Sequence, residues 1–228
     1  MTSFNLRAKT AAVAVLSLFS AAAQAQFIIV SEINPAGSAA SYAADWFELT
    51  NTGSTAVDIT GWKMDDNSNA FASSVVLRGV TSIAAGKSVV FLEGTASGST
   101  DASINANFLS AWFGASVPAG VVVGNYGGAG VGLSATSDAV NIFTGSGTLV
   151  TRVDFGAATA GRTFDNKAGL NNAAVSQLSV AGVNGAFTSY SAAEVGSPSA
   201  VPEPEGFALA LAGMAVLGVA SRRKVVRG

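Results

Sequence analysis

Glu32 and Glu48 fall at similar places in two consecutive extended segments, Gln26 to Ile33 (QFIIVSEI) and Asp45 to Thr50 (DWFELT). Two carboxyls about 5 to 9 Å apart can act as the acid and nucleophile of glycoside cleavage. That chemistry needs a flanking substrate cleft. The stronger expectation is that each carboxylate accepts hydrogen bonds from nearby backbone N–H groups or turns. The sequence has no His and no Cys. Imidazole acid/base chemistry, Ser-His-Asp and Cys-His nucleophiles, His- or Cys-ligated metals and disulfides are thereby removed. Carboxylates, hydroxyls and Lys are what remain, and the expectation is a protein that is not an enzyme.

The best cation candidate is Asp65-Asp66-Asn67-Ser68-Asn69, because Asp65, Asn67 and Asn69 repeat the oxygen spacing that opens a calcium loop. The sixth position is Ala70 rather than Gly and the twelfth is Val76 rather than Glu, so a solvated turn is expected, with Asp65 and Asp66 the residues that would hold calcium if any did. No other cofactor is suggested. Gly130-x-Gly132-x-x-Ala135 matches a dinucleotide fingerprint on paper. It leads into another strand rather than a helix, and Asn125 to Gly132 (NYGGAGVG) offers no Lys to a phosphate, so a mobile surface loop is expected. Between Gln26 and Glu203, six Lys and Arg stand against 13 carboxylates, a net charge of −7. Such a body repels phosphate backbones, which argues against a nucleic-acid partner.

The elements that must position these residues are short strands separated by Gly, Ser, Asn and Thr. Beyond the two segments above, Val57 to Met64, Val75 to Arg78, Ser88 to Leu92, Val121 to Val123, Ala139 to Phe143 and Leu149 to Phe155 complete eight candidates. Strands at this spacing imply an all-β fold, an antiparallel β-sandwich. In DWFELTN, alternation places Phe47 and Leu49 on the core face and Trp46, Glu48 and Thr50 on the other. Gly53 supplies a turn, and Gly61 marks a bulge or a close approach of backbone to a ring. Trp62 is expected in the core. Phe108, Leu109, Trp112 and Phe113 fall at helical spacing, so Asn105 to Phe113 reads as one short helix covering an open end of the core. A binding module for a glycan or calcium is the alternative function, with Tyr42, Trp112 or Tyr126 as its exposed aromatics.

Three segments then carry a resemblance: Ile28 to Asn34, Asp45 to Asn51 and Val57 to Asp65 are similar to the opening strands of a lamin-tail domain, an immunoglobulin-like sandwich. Ile83 to Phe91, Leu133 to Phe143 with Asp138, the Gly147-Thr148-Leu149-Val150 hairpin and Gly196-Ser197-Pro198 fit its later parts. The stretch from Gly94 to Ser137 departs from it. The resemblance implies an interaction module over residues 26–198, of a kind known in bacteria mainly as an accessory or surface-displayed unit.

Both ends of the chain read as addressing. Over residues 1–25, Arg7 and Lys9 precede an apolar run from Ala11 to Phe19, and Ala23-Gln24-Ala25 is a small-x-small site before Gln26, the pattern of a signal peptide cleaved by signal peptidase. At the other end, Val201-Pro202-Glu203-Pro204 cannot continue a helix. The uncharged stretch that follows is apolar on every side, giving an expected transmembrane helix over 206–221. The basic tail 222–228, with Arg222, Arg223, Lys224 and Arg227, is a cytoplasmic flank under the positive-inside rule. Gly206 to Ala220 would rise only about 22 Å against a hydrocarbon core of about 30 Å, a shortfall that snorkelling and local thinning accommodate.

In this order of parts, residues 199–228 resemble a PEP-CTERM sorting signal. The resemblance implies an exosortase-type enzyme in the inner membrane of a Gram-negative bacterium. It would cleave at or near the Pro-Glu-Pro and pass the body from the periplasm to the cell surface or extracellular polysaccharide. The expectation is an exported, non-enzymatic surface or matrix protein.

Overall fold

The computed structural model describes residues 28–200. The expected signal peptide with Ala23, Ala25 and Gln26, the motif Val201 to Pro204, the apolar span 206–221 and the basic residues Arg222, Arg223, Lys224 and Arg227 lie outside the described residues. Among those described, no helix is long and apolar enough to cross a membrane.

The strands in chain order are β1 (Ile28–Asn34), β2 (Trp46–Asn51), β3 (Val57–Asp58), β4 (Lys63–Asp65), β5 (Val75–Val76), β6 (Ser82–Ile83), β7 (Ser88–Gly94), β8 (Val123–Gly127), β9 (Asp138–Phe143), β10 (Leu149–Phe155), β11 (Phe164–Asp165), β12 (Ala173–Val175), β13 (Phe187–Thr188) and β14 (Val195–Gly196). One α-helix, α1 (Asp101–Phe113), joins β7 to β8. Two five-stranded sheets, ordered β11-β1-β2-β7-β8 and β12-β10-β9-β4-β5, form a sandwich, and β3-β6 and β13-β14 are small separate ladders. Ile28, Val30, Phe47, Leu49 and Phe91 of the first sheet meet Met64, Val140, Ile142, Val153 and Phe155 of the second in one core. Phe47 and Leu49 face inward as alternation requires, and Trp62 is buried in the same cluster.

Four expectations need correction. The sandwich is not wholly antiparallel, since β7 pairs with β8 and β10 with β12 in parallel. Each of these pairs is joined by a crossover rather than a hairpin, and a crossover brings the second strand in parallel. Val57 to Met64 is two strands, because Trp62 N–H donates to Ile59 O (3.0 Å) and closes a turn with Gly61 at φ +73°. Gly61 therefore serves a left-handed turn position rather than a bulge. The stretch Asn125 to Gly132 is not a surface loop throughout, since Asn125, Tyr126 and Gly127 are buried in β8. At Gly124, an added Cβ would sit 2.7 Å from the Phe91 ring and 2.8 Å from Arg78 O, so glycine is what lets β8 approach.

Helix α1 is the fourth correction. It begins four residues earlier than the apolar spacing indicates and covers the outer face of the first sheet, not an end of the core. β7 is apolar on both faces: Val89 and Phe91 enter the inter-sheet core, while Val90 and Leu92 join Trp46, Phe108, Ala111 and Trp112 in a second cluster beneath the helix. Arg78 holds the first turn through Asp101, with Nε to Oδ2 at 2.6 Å and Nη2 to Oδ1 at 2.9 Å. Asn105 and Asn125 exchange amide hydrogen bonds at 3.0 and 2.9 Å, fixing the helix to β8. Gly114 at φ +63° ends it, its N–H donating to Ser110 O.

Candidate functional site

A β-bulge makes the principal site. β1 and β2 are antiparallel, and their register shifts between Val30 and Glu32. Val30 opposite Leu49 and Ile33 opposite Phe47 both face the core. Two residues between them would break the alternation, so the extra residue returns Ile33 to the core and turns Glu32 to the outer face beside Glu48, its register partner. The bulged Ser31 lies on that face too, and its Oγ donates to Glu48 Oε1 at 2.6 Å.

Both carboxylates are withdrawn from solvent, at 0 % exposure each. Glu32 Oε1 accepts from Thr163 Oγ1 (2.5 Å) and Ser197 N–H (2.6 Å), and Oε2 accepts from Ser197 Oγ (3.0 Å). Glu48 Oε1 also accepts from Lys167 Nζ (2.8 Å), and Oε2 accepts from Ser199 N–H (2.5 Å). Backbone N–H groups do bind these carboxylates, but from the far end of the described chain rather than from neighbouring turns. Burial, and then the charge of Glu48, raises the Glu32 carboxyl to about 7, with Lys167 and the Thr163 and Ser197 hydrogen bonds pulling the other way. Burial works against the Lys167 ammonium, yet the Glu48 and Glu32 charges outweigh it and hold that group above its ordinary value.

This arrangement anchors the late part of the described chain on the first sheet. Ser197 to Ala200 lies over the pair, and Lys167 Nζ reaches Ala200 O at 3.2 Å. Gly196 completes the closure: a Cβ there would stand 2.6 Å from Glu32 Oε1 and 2.9 Å from both Thr163 and Trp112. Lys167, Thr163 and Ser199 carry no local motif. Ser197 stands out in the sequence only within Gly196-Ser197-Pro198.

The calcium candidate is a hydrogen-bonded turn. Asp65 is buried, with Oδ2 accepting from Ser68 Oγ (2.6 Å) and Ala70 N–H (2.7 Å) and Oδ1 from Ser73 Oγ (3.0 Å). Asp66 Oδ1 accepts from Ser68 N–H (2.9 Å), Asn67 N–H donates to Asp138 Oδ1 (2.8 Å), and Asn69 takes φ +51°. Among the described residues no cluster of three or more acidic side chains is placed to hold a metal ion.

The aromatics expected on the surface are interior: Tyr42 and Trp112 are 1 % exposed and Tyr126 is 0 %. Tyr42 and Trp112 pack in the cluster beneath α1, and Tyr126 packs on Phe47 in the inter-sheet core. Tyr42 OH donates to Glu194 Oε1 (2.7 Å) and accepts from Trp46 Nε1 (3.0 Å), while Asn34 Nδ2 donates to the same Glu194 oxygen (2.8 Å). Burial raises the Glu194 carboxyl, and the Tyr42 and Asn34 hydrogen bonds oppose it. Tyr42 and Trp46 meet Phe108 edge-on at ring separations of 5.2 and 5.7 Å.

Compared with known families, residues 21–157 match the lamin tail domain and residues 200–224 match the PEP-CTERM protein-sorting motif. No curated protein and no solved structure matches the chain. Residues 158–200, beyond the first match, supply β11, β12 and the segment over the Glu32 and Glu48 pair.

Proposed function

The chain belongs to the lamin tail domain family and ends in a PEP-CTERM sorting motif that makes it an exported, exosortase-processed protein, and from that premise we propose that it is a non-enzymatic surface or matrix protein. Signal peptidase removes residues 1–25. The apolar span then lodges in the inner membrane with the body in the periplasm, and processing at or near Pro202 to Pro204 passes the sandwich to the cell surface or extracellular polysaccharide. The lamin-tail sandwich is its interaction module.

One observation carries the non-enzymatic reading. The two carboxylates best placed for acid/base work are fully buried, and each of their oxygens already accepts a hydrogen bond from the protein's own chain. A general acid or nucleophile needs a free oxygen within reach of substrate. The three aromatics the sequence offered for glycan stacking, Tyr42, Trp112 and Tyr126, are likewise internal.

Mass spectrometry of the mature protein in the producing cell tests the proposal. The expected product starts at Gln26, ends near Pro202 to Pro204, and fractionates with the cell surface or polysaccharide. A chain that keeps Arg222 to Gly228 overturns the sorting route. Hydrolysis of polysaccharide by the purified body, abolished in Glu48→Gln, overturns the non-enzymatic role.

A further inference from the structure

The described chain does not simply run off the sandwich toward the sorting motif. Ser199 N–H donates to Glu48 Oε2 (2.5 Å), Lys167 Nζ bridges Glu48 Oε1 (2.8 Å) and Ala200 O (3.2 Å), and Ser197 is bound through both its N–H and its hydroxyl to Glu32. The segment is also bent: Ala200 N–H donates back to Ser197 O (2.9 Å), and Ser199 sits at φ +61°, a conformation that costs a non-glycine residue free energy unless its surroundings impose it. Val201 and the Pro-Glu-Pro follow directly.

We propose that Glu48 and Lys167 form a clasp that positions the protein's own sorting segment and withholds Ser199 and Ala200 from the processing enzyme. The inference rests on the sorting reading above and deepens it by naming the residues that control access to the processing site. Enzymes that cut peptides bind them extended over several residues, with main-chain hydrogen bonds along the strand. Ser199 and Ala200 are bent, with Ser199 N–H bonded to Glu48, Ala200 O to Lys167 and Ala200 N–H to Ser197 O. Processing therefore runs through a local opening in which Lys167 leaves Ala200 and Glu48 releases Ser199. A closed clasp also keeps the folded body close to the membrane. From Ala200 to Gly206 the chain spans no more than about 20 Å even when fully extended.

Two full-length variants in the producing cell test this, with tail removal followed by pulse-chase and amide exchange read on the purified protein. The pair Glu48→Gln with Lys167→Met removes both charges together. It should speed exchange at Ser199 and Ala200 by about tenfold or more beyond any change in the core strand β9, as expected when the charge-assisted hydrogen bonds that hold the segment are lost, and it should speed tail removal. The second variant inserts Gly-Ser-Gly-Ser between Ala200 and Val201 and leaves the sandwich intact. It should speed tail removal with no change in exchange at Ser199 or in Tm, because it supplies extended chain without opening the clasp. Unchanged exchange at Ser199 and Ala200 in the double variant overturns the clasp, as does tail removal at the wild-type rate in both variants. Retention of Arg222 to Gly228 in every chain, wild type included, overturns the sorting reading instead.

Discussion

Glu32 and Glu48 are cross-strand partners on the covered face of the first sheet, two carboxylates side by side with no solvent on either. Like charges directly opposite in a sheet destabilise it, and burial adds to the cost. The fold offsets this with one ammonium, two backbone N–H groups and several hydroxyls, most of them drawn from residues 163–199. Burial and the neighbouring charge also favour the protonated form of Glu32.

A pH dependence follows. The Glu32 carboxyl stands at about 7 in the fold against an ordinary 4.5. Between those values the native state binds more protons than the unfolded chain, so unfolding free energy falls as pH rises from about 4.5 to about 7 and this contribution is flat above. The amplitude is at most ~3 kcal/mol. Burial raises Asp45, Glu93 and Glu194 in the same direction, so the contribution of Glu32 is read by difference. Urea denaturation of Glu32→Gln should show a shallower fall across this window than the wild type. Parallel curves would refute the assignment.

Lys167 should be far less dispensable alone than with its partner. Lys167→Met leaves Glu48 and Glu32 buried without a cation and should cost about 3–5 kcal/mol. Adding Glu48→Gln removes one stranded charge and keeps an acceptor for Ser199, so the double variant should recover ~2 kcal/mol or more of that loss. Denaturant unfolding of the two single variants and the double variant measures the coupling, and simple additivity would count against it.

Much of the sandwich was legible because alternation is a local signal. Phe47 and Leu49 inside, Trp62 in the core, and β9 with its hairpin to β10 all follow from residues within a few positions of one another. The placement of α1 required reading Val89, Val90, Phe91 and Leu92 as apolar on both faces, the mark of a strand covered on both sides. Tyr42, Trp112 and Tyr126 misled because a large aromatic ring packs in an interior as readily as it stacks on a surface. The carboxylate site could not be assembled from local pattern. Lys167 reaches Glu48 across 119 positions, and Ser197 reaches Glu32 across 165. Lys167 and Ser197 lie just beyond β11 and β14, each two residues long and too short to show a period.

Helix α1 should be integral to stability rather than an ornament on the sheet. Phe108 is fully buried beneath it, edge-on to Tyr42 and Trp46. Phe108→Ala removes those ring contacts and leaves a cavity, with an expected loss of about 3–5 kcal/mol. Phe108→Leu should lose markedly less. Thermal unfolding of the two variants checks the order, and equal effects would show that the ring contacts are not what matters.

The turn after β4 should hold itself without a cation. Asp65 takes three donors from Ser68, Ala70 and Ser73, which occupy both carboxylate oxygens. Calcium entering there would have to displace these bonds and would meet Ala70 and Val76 where a calcium loop places Gly and a bidentate Glu. Tm should therefore be the same in millimolar calcium and in chelator, and a rise with calcium would refute the hydrogen-bonded reading. Asp65→Ala should cost about 2–4 kcal/mol in both media, because it strips the acceptor from the half-buried Ala70 N–H and from two hydroxyls at once. Asp65→Asn keeps the shape and one acceptor oxygen, and its loss should be smaller by at least about 1 kcal/mol.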